Sequence, residues 1–150
     1  MKIAIGSDEK THLTDVVVEQ LNQRGHQLEA YGPLSDEPLT WPEVAERVAA
    51  RVAAGDADEG ILFCWTGTGV SLAANKVPGI RAALCADAET AKGARLWNRA
   101  NVLCLSLRAT SETVAREILD AWFNTPLGDD PSDVAAVEQV TRIEAKYARR

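Results

Sequence analysis

Short apolar runs alternate along the chain with segments of helical periodicity. The apolar runs predict buried strands over residues 2–7, 27–31, 59–64, 80–85 and 101–106. Between them, apolar residues recur at spacings of three and four, which predicts helices over 11–24, 43–54, 69–76, 87–97 and 110–123 and a last helix from 132. Turn-rich loops are expected over 32–42 and 124–130. This alternation predicts an α/β fold, a doubly wound parallel five-stranded sheet with helices on both faces.

The chain of 150 residues has no repeat, linker or low-complexity segment, so residues 1–150 are predicted to form a single domain. Its last helix has an apolar stripe formed by Val134, Val137, Val140 and Ile143. No strand follows this helix, which is therefore appended to the sheet and packs either on its own subunit or on a neighbour. We favour a dimer. The terminal pair Arg149 and Arg150 is expected to be solvated.

The charge balance argues against several classes of partner. The chain has 16 basic and 22 acidic residues and a net charge of −6, so nucleic acid and anionic membranes are not expected to bind it. No apolar run approaches the ~20 residues that span a bilayer. The first residues enter a strand without the features of a signal peptide, which predicts a cytoplasmic protein. Two histidines, neither spaced with a cysteine as in ligand sets, give no support for a metal site.

One stretch of the sequence has the features of a chemical site. Cys64 ends the predicted third strand, and the turn Thr66-Gly67-Thr68-Gly69 follows it. Ligands of open parallel sheets bind at the carboxyl ends of strands. The glycines permit close approach of the backbone to a ligand, and the threonines add hydroxyl donors. The combination suggests a carbon-acid or nucleophilic site that faces a developing oxyanion, whereas Cys85 and Cys104 are expected to be small buried residues.

Four segments resemble one sugar-phosphate isomerase family, the type B ribose-5-phosphate isomerases and the galactose-6-phosphate isomerase subunits. They are Met1 to Asp8, Gly60 to Arg81, Asn98 to Leu105 and Val137 to Glu144. The run from Ala73 to Ala82, followed by Cys85, is similar to the family's central signature almost letter for letter. The resemblance implies a Rossmann-like fold, no metal or other cofactor, and a homodimer or dimer of dimers whose active sites draw residues from both subunits.

The resemblance also implies roles for individual residues. Cys64 matches the general base that moves a proton between C1 and C2 of an open-chain aldose. Thr66 and the residues after it match the loop whose amides stabilise the cis-enediolate. Asp8 matches the acid that follows the first strand, Asn98 matches an asparagine near the substrate, and Arg108 matches an arginine associated with the phosphate.

The chain departs from the family pattern at several of these positions. Glu9 stands where the family has a histidine, and Trp97 stands where it has the histidine thought to open the sugar ring. Trp65 replaces the glycine after the base, and Trp41 replaces the tyrosine of a Tyr-Pro pair. The segment 133–136 has an aspartate and an alanine in place of a phosphate-binding His-x-x-Arg. These changes weaken the site's ability to hold a phosphate dianion, whereas indoles suit a sugar face or fill space.

The departures predict a substrate other than ribose 5-phosphate. It is either a less charged sugar or a sugar phosphate held by Arg108, Arg95 or Arg99. His12 lies within one turn of Asp8 and is a candidate replacement for the lost ring-opening imidazole, although a surface histidine is the default.

Two functions remain open at this stage. The first is an aldose–ketose isomerase, or an epimerase that uses the same enediolate, with Cys64 as base and a sugar or sugar phosphate as substrate. The second is a non-catalytic or partner subunit of a hetero-oligomeric sugar-phosphate isomerase, or a sugar-binding relative. Retention of Cys64 and its turn favours the first. Trp41, Trp65 and Trp97 are either walls of the pocket or ordinary packing residues, and Trp122 is expected in the core.

Overall fold

The computed structural model describes residues 1–148 as a five-stranded parallel sheet flanked by six α-helices. The strands are β1 (Lys2–Ser7), β2 (Gln27–Tyr31), β3 (Glu59–Cys64), β4 (Ala82–Leu84) and β5 (Val102–Ser106). The helices are α1 (His12–Gln23), α2 (Trp41–Ala53), α3 (Thr68–Ala74), α4 (Ala88–Asn98), α5 (Glu112–Asn124) and α6 (Pro131–Tyr147), and a 3-10 turn covers Gly32–Ser35. The expectation for Arg149 and Arg150 lies outside the described residues.

The strand order creates a crevice at one edge of the sheet. The order is β2-β1-β3-β5-β4, and all four pairings are parallel. The chain leaves β1 toward β2 and later returns on the other side as β3, so the topology switches between β1 and β3. Ser7 pairs with Phe63, which brings the next residues, Asp8 and Cys64, side by side at the switch point. Open α/β sheets bind ligands at this position.

Both faces of the sheet are covered. Alternate residues of β3 point to opposite faces, so Ile61 and Phe63 pack with α1, α4 and α5, whereas Leu62 and Cys64 pack with α2 and α3. Two apolar cores result, one on each side of the sheet. The predicted doubly wound α/β class is confirmed. The alternation also determines that the Cys64 thiol lies on the α2 and α3 side.

Helix α2 begins two residues earlier than predicted, at Trp41. Thr40 caps it, since the Glu43 carboxylate accepts hydrogen bonds from the Thr40 N–H at 2.8 Å and from its hydroxyl at 2.9 Å. Pro42 occupies the first turn, where its missing N–H costs nothing. Trp41 is therefore held by a capped helix and not by a loop.

Helix α6 is appended to the fold, as the sequence predicts. It packs against α4, and the Glu144 carboxylate accepts a hydrogen bond from the Gly79 N–H at 3.2 Å. None of its described residues is buried. Val140 and Ile143 are 53% and 58% exposed, so the apolar stripe faces away from its own subunit over part of its length. The dimer stays a prediction.

Candidate active site

Cys64 lines an open cavity of about 300 Å³ at the carboxyl ends of β1 and β3. The cavity is lined by Asp8, Trp41, Cys64, Trp65, Thr66, Thr68 and Gly69. The Cys64 residue is only 5% exposed, yet the cavity reaches it. A ligand in this cavity would contact a thiol that is otherwise packed against the core.

The end of β5 holds the chain after Cys64 in place. The Leu107 N–H donates to the Cys64 carbonyl and the Arg108 N–H donates to the Trp65 carbonyl, both at 3.0 Å. The Ser106 hydroxyl donates to the same Trp65 carbonyl, also at 3.0 Å. Sequence reasoning missed Ser106, although a polar residue at the end of an apolar strand was the available signal. These bonds satisfy the carbonyls of the turn and fix its direction.

Two glycines of the turn lie in close contact with neighbouring groups. Gly67 has a φ of 75°, and a Cβ built on it would lie 2.5 Å from Leu84 Cδ1. A Cβ on Gly69 would lie 3.0 Å from the ring of Trp41, so that indole rests on the backbone of the turn. A larger residue at position 67 would strain both the backbone and the packing.

The two threonines of the turn supply hydroxyl groups at the cavity wall. Their Oγ1 atoms are 2.6 Å apart, within hydrogen-bonding distance. Thr68 is the first residue of α3, and the first amides of any helix have no acceptor within it. Hydroxyl and amide donors therefore lie close to the thiol, as the stabilisation of an oxyanion requires.

Asp8 contributes a carboxylate oxygen that has no partner. Its Oδ1 is buried and accepts no hydrogen bond from any residue of the described chain. Burial, followed by the nearby charge of Glu9, raises the pKa of Asp8 above its ordinary value. Glu9 itself is exposed and does not line the cavity.

The three exposed tryptophans divide between two places. Trp41 and Trp65, which are 41% and 55% exposed, form walls of the Cys64 cavity. Trp97 and Asn98 instead line a cavity of about 290 Å³ between α4 and α6. The Trp97 ring covers Gly93, where a Cβ would lie 2.7 Å from it. A single chain therefore does not bring Trp97 and Asn98 to the thiol.

Of the three arginines considered for a phosphate, only Arg108 lies beside the site. It lines an adjoining cavity of about 370 Å³ that shares Thr66 with the Cys64 cavity. Arg95 is buried at the other end of the sheet and forms a salt bridge of 2.8 Å with Glu59. The Arg99 side chain donates to a backbone carbonyl. The assignment of Arg95 to a phosphate is therefore wrong, because Glu59 and two backbone carbonyls already engage its buried guanidinium group, whereas the assignment of Arg99 stays a prediction.

His12 begins α1 and is not among the residues that line the cavity. Its Nε2 lies 3.1 Å from the Glu112 carboxylate at the start of α5. The side chain is 80% exposed. The structure thus places the candidate for the ring-opening imidazole next to an acidic residue on the surface, where it does not line the cavity.

The other two cysteines are buried, as expected. Cys85 is 1% exposed and Cys104 is fully buried. Burial raises the pKa of Cys85 to about 12 and also raises the pKa of Cys104. Both thiols therefore stay protonated at neutral pH, which leaves them unsuited to proton abstraction.

Residues 1–148 contain neither a cluster suited to a metal ion nor a helix suited to span a membrane. No group of three or more His, Cys, Asp or Glu side chains in this part of the chain is placed to hold a metal ion. No helix among the same residues is long and apolar enough to cross a membrane.

Comparisons with known proteins agree with this fold. The family model described as Ribose/Galactose Isomerase matches residues 3–140. Ribose-5-phosphate isomerase B of Escherichia coli is 38% identical over 146 residues, which cover 97% of each chain. D-erythrulose-4-phosphate isomerase of Pectobacterium atrosepticum is 38% identical over 127 residues, 83% of each chain. The solved structure of Clostridium thermocellum ribose-5-phosphate isomerase B has a TM-score of 0.92 at 37% identity and covers 99% of this chain and 100% of its own.

The chain therefore belongs to the ribose/galactose isomerase family of sugar-phosphate isomerases. Its members are aldose–ketose isomerases, and the predictions of the family and of an isomerase are confirmed. The two relatives described above are named for different sugar phosphates. Membership of the family thus leaves the sugar to be decided by the site.

Proposed function

We propose that this protein is an aldose–ketose isomerase in which Cys64 is the general base. The observation that carries the proposal is the cavity that joins the Cys64 thiol, the hydroxyls of Thr66 and Thr68 and an unpartnered oxygen of Asp8. Abstraction of a proton next to a carbonyl requires a base and donors for the oxygen that becomes negative. All of these groups meet at the β1 and β3 switch point.

The reaction transfers one proton between neighbouring carbons. The Cys64 thiolate removes the proton from C2 of the open-chain aldose. The electron pair of that C–H bond forms the C1–C2 double bond, and the carbonyl pair moves to O1 to give the cis-enediolate. Return of the proton to C1, with transfer of the O2 proton to O1, gives the ketose. We assign stabilisation of the two oxygens to Thr66, Gly67, Thr68 and Gly69.

Asp8 is assigned the exchange of protons with the sugar oxygens. An acid that serves this purpose must hold a proton part of the time near neutral pH. The raised pKa of Asp8 and the absence of a partner for its Oδ1 within residues 1–148 both support that role. His12 lies against Glu112 and is not needed for this step.

The complete site is proposed to require two subunits. Asn98 does not line the Cys64 cavity of its own chain, and Trp97 next to it is 62% exposed. Val140 and Ile143 of α6 are exposed, and Val140 lines the same cavity as Trp97 and Asn98. We propose a homodimer in which Asn98 and Trp97 of the partner subunit complete the cavity around Cys64.

A non-catalytic subunit is the second candidate. It is favoured by one observation, that no imidazole lines the Cys64 cavity among the described residues. A protein of that kind would need a related second chain for activity. The purified single chain decides the question, since isomerisation without any other protein rules this candidate out.

The test of the proposed function is hydrogen exchange in deuterated water. The wild-type protein is incubated with a panel of free and phosphorylated aldoses, and NMR follows deuterium incorporation at C2. Cys64→Ala is expected to abolish incorporation into whichever sugar is accepted. Cys104→Ala removes a buried thiol in the same core and is expected to leave incorporation intact. Equal incorporation in the wild type and in Cys64→Ala would refute the role of Cys64.

A further inference from the structure

Strands β3 and β5 end side by side, and the chain that follows β3 is held from β5. Cys64 pairs with Ser106 in the parallel register, and each is the last residue of its strand. Beyond this pair, the Leu107 N–H donates to the Cys64 carbonyl and the Arg108 N–H donates to the Trp65 carbonyl, both at 3.0 Å. The pairing of the two strands therefore continues past the sheet, into the turn that follows β3.

The Ser106 hydroxyl is a second link at the same place. Ser106 is 8% exposed, and its hydroxyl donates to the Trp65 carbonyl at 3.0 Å. It also accepts a hydrogen bond from the Ala109 N–H at 3.1 Å. The Trp65 carbonyl thus accepts from both Ser106 and Arg108, which uses the two lone pairs of a carbonyl oxygen. One buried hydroxyl therefore joins the turn after β3 to the loop after β5, residues 107–110.

Side chains do little to hold the turn after β3. Trp65 is 55% exposed, and Thr66 and Thr68 are exposed as well. Gly67 between them is buried, but it has no side chain to anchor. The two threonine hydroxyls must nevertheless keep a fixed place, since donors stabilise an oxyanion best when they are positioned before its charge develops. The position of the turn therefore depends on the hydrogen bonds of its backbone.

Ser7, at the end of β1, has a buried hydroxyl with a different pattern of hydrogen bonds. It donates to the Glu9 carbonyl and accepts from the Glu9 N–H, so both of its bonds stay within two residues of the same chain segment. The bond from Ser106 to Trp65 instead spans 41 residues of sequence. The Ser7 hydroxyl therefore shapes its own turn, whereas the Ser106 hydroxyl connects two separate segments.

We propose that Ser106 is a positioning residue for the isomerase reaction. Its hydroxyl holds the Trp65 carbonyl and, through it, keeps the two threonine hydroxyls of the turn at a fixed position relative to the Cys64 thiol. It also fixes the turn relative to Arg108, whose cavity shares Thr66 with the Cys64 cavity. A substrate that reaches both cavities then meets groups of fixed mutual geometry, which lowers the entropic part of the barrier. The proposal rests on the proposed function, because it concerns the same site.

The first test separates positioning from binding. Ser106→Ala removes the hydroxyl, and the kinetics of deuterium incorporation are measured with ribose 5-phosphate and erythrulose 4-phosphate, the sugars for which two relatives are named. We expect kcat to fall by roughly tenfold to a hundredfold with little change in KM, because a misplaced donor affects the transition state more than the bound substrate. An unchanged kcat, with or without a rise in KM, overturns the proposal. Incorporation that does not depend on Cys64 refutes the proposed function instead.

Two further variants are the controls for packing and for stability. Ser106→Thr keeps the hydroxyl, and the open cavity of about 370 Å³ that Ser106 lines has room for the added methyl group, so most of the wild-type kcat should return. Ser111→Ala removes a hydroxyl that caps α5, where it accepts from the Val114 N–H at 3.1 Å, and should destabilise the fold without changing kcat. No recovery in Ser106→Thr, or an equal loss of kcat in Ser111→Ala, would overturn the proposal.

The last test needs no substrate, so it decides the proposal even if neither sugar phosphate is accepted. NMR follows amide hydrogen exchange in the wild type and in Ser106→Ala. The Ala109 N–H loses its acceptor in this variant, so faster exchange there is expected of any role. Positioning predicts in addition that the Leu107 and Arg108 amides, which bond to the chain at and just after Cys64, exchange roughly tenfold faster. Faster exchange confined to Ala109 would overturn the proposal and leave the proposed function intact.

Discussion

The two ends of strand β3 differ in how their polar groups are satisfied. At the amino end, Glu59 is 7% exposed and both of its carboxylate oxygens have partners. Its Oε1 lies 2.8 Å from Arg95 Nη2, and its Oε2 accepts a hydrogen bond of 2.6 Å from the Trp122 indole. The Arg95 guanidinium also lies over the Trp122 ring, 4.8 Å from its centroid. This cluster is closed to ligands.

The carboxyl end of the same strand is open. Cys64 faces a cavity, Asp8 has an oxygen without a partner in the described chain, and Trp41 and Trp65 are exposed. The two ends belong to one strand of six residues. This fold therefore separates the polar groups that hold the structure together from those that have no partner in the described chain. Substitutions at the two ends should therefore change different measurable properties.

The largest effect is expected at the open end of β3, where a substitution should lower the reaction rate with little change in stability. Cys64→Ala removes the proposed base, and loss of a general base lowers rates by about a thousandfold. The free energy of unfolding should change by only about 1 kcal/mol, since a small side chain is replaced by a slightly smaller one. Deuterium incorporation measures the effect on activity, and urea unfolding of the same preparation measures the effect on stability. If Cys64→Ala lowered the free energy of unfolding by much more than this amount, the open end of β3 would also contribute to stability, and the two ends would not differ as described.

The next largest effect is expected at the closed end, on stability. Arg95→Met leaves the Glu59 carboxylate buried without its counter-ion, which should cost about 3 kcal/mol of unfolding free energy in urea. Arg47→Met is the control, because its partner Glu37 is exposed and the pair at 3.3 Å should contribute less than about 1 kcal/mol. Similar losses of unfolding free energy in the two variants would show that burial does not strengthen the contribution of the Arg95–Glu59 pair to stability.

The sequence predicted the sheet and the glycine-rich turn after Cys64 because both depend on local patterns. The five strands and the helices follow from apolar spacing, and the Cys64 turn follows from one run of letters. The Glu59 cluster does not follow in this way, because its three residues are 36 and 27 positions apart and only the packed fold brings them together. One signal was available: Arg95 follows Ala91 and Ala94 on the buried side of α4. A charge at such a position indicates a buried partner.

The position of Trp41 and the surroundings of Trp97 were harder to predict. Trp41 was expected in a loop, and the capping box that starts α2 at this residue became evident only from the Glu43 contacts. Trp97 precedes Asn98, which the resemblance implies is near the substrate, yet neither lies near Cys64 in one chain. A sequence specifies the contacts within its own fold more directly than those between subunits. Contacts with a second chain are therefore expected to matter more for the site than for any other part of the protein.

A smaller loss of stability is expected from the aromatic member of the closed cluster. Trp122→Phe removes the indole N–H that donates to Glu59 Oε2 and leaves part of a fully buried site empty. The expected cost is about 2 kcal/mol in urea unfolding. The same substitution in a Glu59→Gln background should cost about 1 kcal/mol less, since the charged acceptor is already absent. Additive costs in this double-mutant cycle would rule out the indole bond as the cause.

The smallest predicted effect is a gain in stability at the open end. Asp8→Asn removes a carboxylate that is partly buried without a partner, so the free energy of unfolding at neutral pH should rise by about 1 kcal/mol. Because burial raises the pKa of Asp8 in the folded protein, the folded state binds the proton more tightly than the unfolded chain does. Wild-type stability from this group thus falls as pH rises from the unfolded pKa through the folded pKa.

The gain from Asp8→Asn should follow the opposite course. It is fully present above the folded pKa of Asp8 and disappears as the pH falls below the unfolded pKa, where both states are protonated. Urea unfolding at a series of pH values measures it. A lower stability of Asp8→Asn at neutral pH would mean that the carboxylate is satisfied in the folded protein. The open end of β3 would then resemble the closed one, and its oxygen would not be free to accept a hydrogen bond from a sugar.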